Sequence, residues 1–386
     1  MLLRRLIILP DADQRVVDTV LKNSNQMQSS NTDGIRRLRL QQIEIIKVKD
    51  TLDAFDSLEQ AYKEAKDTLV LRARKTSFIK RFSSIPKGTI CTRFYQFTPE
   101  LGCSFACHYC YLEKTLRYPN LMLPTHFTNY DKMLCDIEKT LNKKKSHILF
   151  NMGELADSRA WDHLTKFSKV IVPFIANTKN GYLYMLSKSD NYKNFIGLEH
   201  RDKQGRRRVI QAASVNAPII CELIEERTAS LEDRIYAMRK LQEDGYIIRY
   251  RIDPIMPFGE LFYNGLITED ENFRKTTEMY ESMLDIIFYT TSLELITLGT
   301  YRPYPGLQHY LSKRFPDSCI LGIKTHREGS KEHINKRFRI WIYTWFKSEI
   351  QRRSSQTKVA LCKETPEIWK AVGLNFKPLR CSCVLY

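Results

Sequence analysis

Short apolar runs alternate with helical patterns along most of the chain from residue 90 onward. Six runs are rich in β-branched and aromatic residues and predict strands, while four stretches with apolar positions three or four apart predict helices. The predicted strands span residues 90–97, 147–151, 182–187, 209–215, 247–255 and 293–300, and the predicted helices span 129–142, 160–175, 231–243 and 271–287. Repeated strand and helix units predict parallel strands joined by right-handed crossovers. The expected fold is therefore α/β, with a partial, open TIM-type (βα)6 barrel.

The two ends of the chain have a different pattern. The N-terminal end has a polar stretch at 23–34, which we interpret as a linker, and a predicted helix at 52–66. The C-terminal end has a helix with apolar residues at positions 338, 341, 342, 345 and 346, a strand at 358–362, and a short helix opened by Thr365. We expect the aromatic stripe to pack on a core rather than to stack on bases. The expected domains are an N-terminal α/β extension (1–75), the barrel (76–330) and a C-terminal extension of helix and strand (331–386).

Unusual polar stretches follow the predicted strands. Parallel α/β folds place their functional groups at the carboxyl ends of strands, where the loops can vary. A cysteine-rich stretch at 102–112 follows the first strand, and MGELADS, LSKSD, SVNAP, DPIMPFGE and GTYRPYPG follow the other five in order. We expect these stretches to meet at one rim.

Composition and charge narrow the class of protein. The chain has 386 residues, 43% of them hydrophobic, which is typical of a globular protein. Its net charge of +17 comes largely from basic clusters at 72–75, 143–145, 206–208 and 336–339. Such a charge favours a polyanionic partner and predicts binding to nucleic acid through phosphates.

The expected location is cytoplasmic, without a membrane. No apolar run reaches the roughly 18 residues that span a bilayer, and the opening apolar patch is too short for a secretory signal. A reducing compartment disfavours disulfides, so clustered cysteines are expected to be metal ligands or catalytic thiols.

Three cysteines, Cys103, Cys107 and Cys110, form the spacing CxxxCxxC. A structural zinc site requires four protein ligands, whereas a four-iron cluster held by three cysteines leaves one iron open for a small molecule. Aromatic residues beside the last cysteine, Tyr109 and Tyr111, are suited to shield such a cluster from water. The spacing favours the cluster and leaves zinc as the alternative.

This cysteine spacing, with an aromatic residue just before the last cysteine, resembles that of the radical S-adenosylmethionine superfamily. The resemblance implies a [4Fe–4S] cluster whose open iron binds S-adenosylmethionine and, once reduced, cleaves it to a 5′-deoxyadenosyl radical. MGEL also resembles the GGEP stretch of that superfamily, which implies that Glu154 contacts the ligand's amino group.

Residues 66–386 resemble one family within it, spore photoproduct lyase and related DNA repair photolyases. The likeness is carried by ACHYCYLEKTL, WDHLTKF, SVNAPIICELIEERTASLEDRIYAMRKLQEDGYIIRYRIDPI and CKETPEIWKAVGL. It implies that Lys188 holds the carboxylate of S-adenosylmethionine and that Ser214 and Asn216 approach its ribose. It also gives Tyr109 and Tyr111 a role in relaying a hydrogen atom, with packing beside the cluster as the alternative.

The chain departs from this family at one position. Aligning WDHLT places Glu154 where the family has the cysteine that returns a hydrogen atom to the product radical. Three functions are therefore weighed: a repair lyase acting on DNA, a radical enzyme of the same family acting on a nucleoside, RNA or peptide, and a zinc module that binds nucleic acid. Either enzyme also implies a reductant such as flavodoxin or ferredoxin.

The remaining seven cysteines fall into two groups. We interpret Cys91, Cys135, Cys221 and Cys319 as buried free thiols. The C-terminal cysteines at 362, 381 and 383 have a spacing that would suit zinc or a second cluster, but the sequence shows only three of the four ligands that a metal site usually needs.

Overall fold

The computed structural model describes residues 3–29, 43–263, 265–329 and 331–385. The strands in this part of the chain are β1 (Arg5–Ile8), β2 (Glu44–Lys47), β3 (Thr68–Arg72), β4 (Ile79–Arg81), β5 (Tyr95–Phe97), β6 (Glu100–Leu101), β7 (Ala106–Cys107), β8 (Thr125–Phe127), β9 (Ile148–Met152), β10 (Gly181–Ser187), β11 (Val209–Ser214), β12 (Glu225–Glu226), β13 (Ile247–Ile255), β14 (Leu295–Thr300), β15 (His326–Glu328), β16 (Lys331–His333) and β17 (Lys358–Leu361). The helices are α1 (Gln14–Ser29), α2 (Leu58–Glu64), α3 (Leu112–Thr115), α4 (Pro119–Met122), α5 (Tyr130–Asn142), α6 (Asp162–Thr165), α7 (Ser168–Ala176), α8 (Pro218–Ile224), α9 (Leu231–Glu243), α10 (Phe258–Tyr263), α11 (Glu269–Thr290), α12 (Leu307–Arg314), α13 (Lys336–Arg353) and α14 (Pro366–Ala371).

The main sheet has eight strands in the order β17-β14-β13-β11-β10-β9-β5-β4. All neighbouring strands are parallel except the pair β4 and β5. The six predicted strands lie here in chain order, although the first is confined to the last three residues of its predicted range. β17 adds a seventh parallel strand, and the sheet stays open because β4 and β17 are its edges. The predicted α/β fold with open parallel strands is thus confirmed.

A second sheet has the order β2-β1-β3-β8-β6. Its strands come from both sides of the predicted boundary at residue 75, since β8 pairs with β3 in parallel and β6 pairs with β8. At the other end, β17 lies beyond residue 330 and still pairs with β14. Strand pairing therefore crosses both predicted domain boundaries, and the division into three domains stays a prediction.

The core lies between the main sheet and its crossover helices. Strands β9, β11 and β14 are buried at every residue, as expected where both faces of a parallel sheet are covered. Helix α9 shows why the helices form where they do. The Ser230 hydroxyl accepts a hydrogen bond from the Asp233 N–H (3.1 Å) and caps its first turn, while Ile235, Met238 and Leu241 are buried on its inner face.

Two predicted elements differ from the structure. The predicted helix at 160–175 is two helices, α6 and α7, because Lys166 takes a left-handed conformation (φ 51°) between them. The predicted linker at 23–34 begins as the last part of α1, where Asn23 and Ser24 are buried and Asn23 donates to the Leu164 carbonyl (2.6 Å). The rest of that predicted linker, from residue 30, lies outside the described residues.

The C-terminal elements pack as core. On α13, Phe338, Ile342 and Phe346 are buried in the main hydrophobic cluster, and Trp341 and Trp345 pack against it. The predicted core role of this aromatic stripe is confirmed. None of the helices in the described ranges combines the length and apolar character needed to cross a lipid bilayer.

The C-terminal segment packs against the main sheet. Leu149, Tyr184 and Ile210 form a small hydrophobic cluster there, and Leu385 packs against it. The Arg249 guanidinium fixes this C-terminal segment by donating to the carbonyls of Ser382 (3.1 Å) and Val384 (3.0 Å). Residues 382–385 are thus held against the main sheet.

Candidate active site

A cavity of about 230 Å³ lies at the carboxyl ends of the parallel strands of the main sheet. Its walls contain residues from every stretch predicted to meet at the rim. Eight of the nine predicted site residues line it: Cys103, Cys107, Tyr109, Cys110, Tyr111, Glu154, Lys188 and Ser214.

The loop that carries the three cysteines is held from several sides. β7, which contains Cys107, pairs antiparallel with β12. The Lys66 ammonium donates to the Cys103 carbonyl (3.1 Å), and the Gly102 N–H donates to the Leu155 carbonyl (2.8 Å). Gly102 has a positive φ of 79° and packs against the Pro124 backbone, so the turn before Cys103 requires glycine. These contacts fix the loop to both sheets.

The three thiols fit a metal cluster better than a single ion. Burial raises the pKa of the Cys103, Cys107 and Cys110 thiols, so a bound cation is needed to hold them as thiolates. The loop supplies three thiolates, one fewer than the four protein ligands of a structural zinc site, whereas a four-iron cluster takes each cysteine on a different iron and leaves its fourth iron open. The cysteine-lined wall of the cavity is compatible with such a cluster.

Lys188 is held by a buried carboxylate that the sequence analysis did not single out. The Lys188 ammonium donates to Glu225 Oε1 (2.9 Å) and to Ser214 Oγ (2.9 Å). The second oxygen of Glu225 accepts from Arg234 Nη1 (2.6 Å), and the Tyr109 hydroxyl also donates to Glu225. Although burial alone would raise the pKa of Glu225, the charges of Lys188 and Arg234 lower it below its usual range. Glu225 therefore stays ionised and organises three side chains beside the cysteine loop.

The loop after β9 is shaped by a glycine and an aspartate. Gly153 has φ 101°, and a Cβ there would lie 2.7 Å from Ser158 Oγ and 2.8 Å from the Leu186 carbonyl. Asp157 accepts from the Ser187 hydroxyl (2.7 Å) and from the Lys188 N–H (2.7 Å), which joins this loop to the end of β10. Glu154 follows Gly153 and lines the cavity, and its backbone carbonyl accepts from the Tyr111 hydroxyl.

Asn216 is the one predicted site residue that does not line this cavity. Its amide N–H donates to the Pro254 carbonyl (2.9 Å), and its amide oxygen accepts from the Tyr280 hydroxyl (2.7 Å) and the Ala217 N–H (3.0 Å). Both ends of the amide are thus used within the protein, and the residue is buried. The expected polar residue after β11 is present, but its side chain turns into the core.

Another part of the cavity wall is rich in cations. Asp253 accepts two hydrogen bonds from Arg302 (2.9 and 2.7 Å) and another from Arg251 (2.8 Å). Lys331 lies over the ring of Tyr304, and burial, together with the positive charges of Lys363 and Arg302, lowers its pKa to about 6. None of these was predicted individually, although the stretches DPIMPFGE and GTYRPYPG marked the position of Asp253 and Arg302.

Fold and cavity together define an α/β protein that carries a three-cysteine loop at the carboxyl edge of an open, mostly parallel sheet. The family model described as spore photoproduct lyase matches residues 43–327. The chain belongs to the spore photoproduct lyase family.

Curated relatives match about half of the chain. Spore photoproduct lyase of Geobacillus sp. (strain Y412MC61) is 30% identical over 196 residues, which is 50% of this chain and 53% of the relative. Spore photoproduct lyase of Bacillus subtilis (strain 168) is 27% identical over 197 residues, which is 51% of this chain and 54% of the relative. The chain thus spans about half the length of the curated relatives it matches.

Solved structures match over nearly the whole chain. Spore photoproduct lyase complexed with dinucleoside spore photoproduct has a TM-score of 0.72 at 18% identity, covering 94% of this chain and 99% of that one. A variant with bound AdoMet and the same dinucleoside has a TM-score of 0.72 at 19% identity, covering 93% and 98%. At this identity the likeness establishes the shared fold.

Proposed function

We propose that the protein is a radical S-adenosylmethionine enzyme that acts on DNA as a spore photoproduct lyase. The observation that carries the proposal is that Cys103, Cys107 and Cys110 line the same cavity as Glu154, Lys188 and Ser214. When bound by the three cysteines, a [4Fe–4S] cluster supplies the electron that converts S-adenosylmethionine to a 5′-deoxyadenosyl radical. Family membership and relatives that carry the name of the lyase support the same activity.

Lys188 is proposed to hold the carboxylate of S-adenosylmethionine. An ammonium has three donors, and two of those on Lys188 go to Glu225 and Ser214. Lys188 has no other hydrogen-bond acceptor within the part of the chain that the structure describes, so its third donor can serve an anionic ligand, while Glu225 fixes the direction in which the ammonium points. Lys188 therefore positions the ligand without rearranging its own contacts.

Glu154 and Ser214 complete the proposed ligand contacts. A carboxylate suits the amino group of S-adenosylmethionine, and the Ser214 hydroxyl suits its ribose. The ribose contact of Asn216 stays a prediction, because its amide is hydrogen-bonded inside the protein.

Tyr109 and Tyr111 are proposed to relay a hydrogen atom. Both line the cavity, and burial raises the pKa of each phenol well above its usual range. The hydroxyl groups therefore stay protonated, as a hydrogen-atom relay requires. The Tyr111 hydroxyl donates to the backbone carbonyl of Glu154, the position at which this chain departs from the family's donor cysteine.

The proposal of a DNA substrate rests on the positive charge of the cavity wall and on family membership. The cationic wall around Arg302 and Lys331 suits a phosphate group, and an anion bound there would favour the charged form of Lys331. One solved relative is a spore photoproduct lyase complexed with dinucleoside spore photoproduct. The alternative, a different substrate for the same radical, is favoured by Glu154 at the donor position.

Three further expectations, on the curvature of the sheet, the cellular location and the reductant, belong to the same proposal. We propose that the consecutive parallel strands curve as a partial TIM-type barrel, that the protein works in the cytoplasm, and that flavodoxin or ferredoxin supplies the electron. The zinc-binding module is disfavoured as an account of this cavity because the cysteine loop supplies only three of the four protein ligands that a structural zinc site takes, and because the chain belongs to a family of lyases.

The test begins with the anaerobically purified protein. It should contain about four iron and four sulfide ions per chain and should release 5′-deoxyadenosine from S-adenosylmethionine when reduced. Lys188→Ala should raise the dissociation constant for S-adenosylmethionine at least tenfold, while Lys193→Ala, an exposed lysine nearby, should leave it unchanged. A protein without iron, or one that binds S-adenosylmethionine equally well as Lys188→Ala, would contradict the proposal.

The identity of the substrate is tested in a separate experiment. Ultraviolet-irradiated DNA that contains spore photoproduct is incubated with the reduced enzyme, and restored thymine is measured. Cleavage of S-adenosylmethionine without repair of this DNA would favour the alternative substrate and leave the radical chemistry intact.

A further inference from the structure

Four cysteines line a second, smaller cavity behind one wall of the first. Cys91, Cys362, Cys381 and Cys383 surround a space of about 20 Å³. They come from the loop before β5, the end of β17 and the C-terminal segment, so three distant parts of the chain converge. The sequence showed three of these thiols as a group, and the fold adds Cys91 as the fourth.

The four thiols line the same cavity, although they come from three separate parts of the chain. All four are free cysteines. Thiols brought together from separate segments and left unpaired are typical ligands of soft metal ions.

The backbone holds these thiols in place. Ser382, which lies between Cys381 and Cys383, hydrogen-bonds through its hydroxyl to Thr297 Oγ1 (2.7 Å). The Ser382 N–H donates to the same oxygen (3.2 Å), and the Asn151 amide donates to the Cys383 carbonyl (3.4 Å). The C-terminal segment therefore carries both cysteines to a fixed position on the inner face of the sheet.

We propose that Cys91, Cys362, Cys381 and Cys383 bind one Zn²⁺ ion. Four thiolates are a common ligand set of structural zinc. The space between them is about 20 Å³, room for roughly one water-sized sphere, which suits a single ion and is too small for a cluster of four irons and four sulfides. Within the described ranges no three such side chains are already grouped around one ion, so binding requires thiol side chains to turn inward about their χ1 bonds.

Cations beside the cavity suit the charge of such a centre. Zn²⁺ with four thiolates carries a net charge of −2. Arg251 Nη2 donates to Cys362 Sγ (2.9 Å), and Lys363, the next residue along the chain, lines the same cavity. Both cations line the cysteine cavity and the larger cavity. The ion would therefore fix the C-terminal segment to β17 and to the wall of the larger cavity.

The test measures zinc and iron separately in the full chain purified with its iron. The intact protein should contain about one zinc ion per chain, and X-ray absorption at the zinc edge should show four sulfur neighbours at about 2.3 Å. The double variant Cys381→Ser/Cys383→Ser should lose the zinc and keep its iron. Cys135→Ser removes a thiol that belongs neither to the cysteine loop at 103–110 nor to the proposed zinc site, and it should keep both metals.

Several results would overturn the assignment. They are an intact protein without zinc, a zinc spectrum dominated by nitrogen or oxygen neighbours, and a double variant that retains zinc. Loss of iron in place of zinc from the double variant would show an iron–sulfur centre instead. If the double variant does not fold, the absorption spectrum of the intact protein still decides. No outcome depends on activity, so the zinc site and the proposed function can fail independently.

Discussion

Glu225 is a fully buried carboxylate that faces two cations. Lys188 Nζ and Arg234 Nη1 lie 2.9 and 2.6 Å from its two oxygens, and Arg234 is itself fully buried. Removing one partner of a buried ion pair leaves the other charge uncompensated, which costs more than the pair contributes. Here, loss of the negative charge of Glu225 would leave two cations side by side next to the cysteine loop.

Glu225→Gln should therefore lower the free energy of unfolding by about 3–5 kcal/mol. It should also weaken S-adenosylmethionine binding, because Lys188 loses the contact that directs it. Urea unfolding and equilibrium binding measure the two effects. Glu222→Gln, on the exposed side of α8, is the matched control and should change neither. Equal stability of the two variants would contradict the role given to Glu225.

Glu113 is a second buried acid, on the outer side of the cysteine loop. It accepts from Lys66 Nζ (2.9 Å) and Arg314 Nε (2.9 Å). Burial alone would raise its pKa, but the two cations lower it from 4.5 to about 2. Because the folded-state pKa is depressed, the stabilisation is present above pH 4.5 and is lost as the pH falls toward 2.

Between pH 7 and pH 3, the contribution of Glu113 to the free energy of unfolding should fall by about 2 kcal/mol. The free energy of unfolding should therefore fall less steeply with acid in Glu113→Gln than in the unchanged protein. Urea unfolding at several pH values measures the difference. Glu138→Gln, which removes an exposed carboxylate from α5, should keep the steeper fall. Parallel pH profiles for the protein and Glu113→Gln would refute the assignment.

At the scale of elements, the loop after β9 depends on Gly153. Its positive φ of 101° disfavours any other residue, and a Cβ would meet Ser158 Oγ and the Leu186 carbonyl. Relief of that contact moves the loop that carries Glu154 away from the end of β10. Gly197 also has a positive φ (74°), but a Cβ added there would have no other atom within 4 Å, so this position isolates the conformational cost from the steric one.

Gly153→Ala should destabilise the protein by more than the roughly 1–2 kcal/mol expected for an alanine in a left-handed conformation. It should also weaken S-adenosylmethionine binding, whereas Gly197→Ala should show only the conformational cost. Thermal unfolding and ligand titration measure the two effects. If both variants bind the ligand as well as the unchanged protein, the loop does not position Glu154 as proposed.

The sequence predicted elements where their signal was local. The strands β9, β10, β11, β13 and β14 are apolar runs bounded by polar loops, and their parallel arrangement followed from the helices between them. The sheet of β1, β2, β3, β6 and β8 has strands of two to five residues, too short to give a clear pattern. The interruption between α6 and α7 depends on the conformation of one residue, Lys166, which no periodicity reports.

The site residues show the same contrast between local sequence signals and groupings that depend on the fold. The motif cysteines were predicted from their spacing, and Glu154, Lys188 and Ser214 were predicted from the resemblance to the family together with their positions after strands. Glu225 was missed because its partner Lys188 is 37 residues away, and a lone glutamate carries no motif. Cys91 was interpreted as a free thiol because its neighbours, such as Cys383, lie at the other end of the chain. Such groupings arise only from tertiary structure.

At the scale of the whole molecule, the charge of +17 is not all available to a partner. Arg208 is buried, lies over the Tyr182 ring and pairs with Asp202 (2.7 Å). Arg339 is buried and pairs with Glu364 (2.9 Å). Two of the four predicted basic clusters thus use one arginine each to stabilise the fold. The cations that remain exposed near the rim matter most for a substrate that enters the cavity.

Nucleic acid bound at the cavity should contact the hairpin of β15 and β16, because Lys331 of that hairpin lines the cavity. Lys324 and Arg327 are exposed on the same segment. Lys143 and Lys144 are equally exposed but lie at the amino ends of the strands, where the Lys144 carbonyl accepts from Asn180 just before β10 (3.0 Å). The two pairs carry the same charge, but one lies at the carboxyl ends of the strands and the other at their amino ends.

Lys324→Gln/Arg327→Gln should therefore weaken DNA binding and reduce the slope of log K against log salt by about 2, since each phosphate contact contributes roughly 0.9. Lys143→Gln/Lys144→Gln removes the same charge from the molecule and should leave the slope almost unchanged. Fluorescence titrations of a short duplex at several salt concentrations measure both. Equal losses from the two double variants would show that DNA responds to the overall charge rather than to the rim, and the cavity would then lose its support as the place where DNA binds.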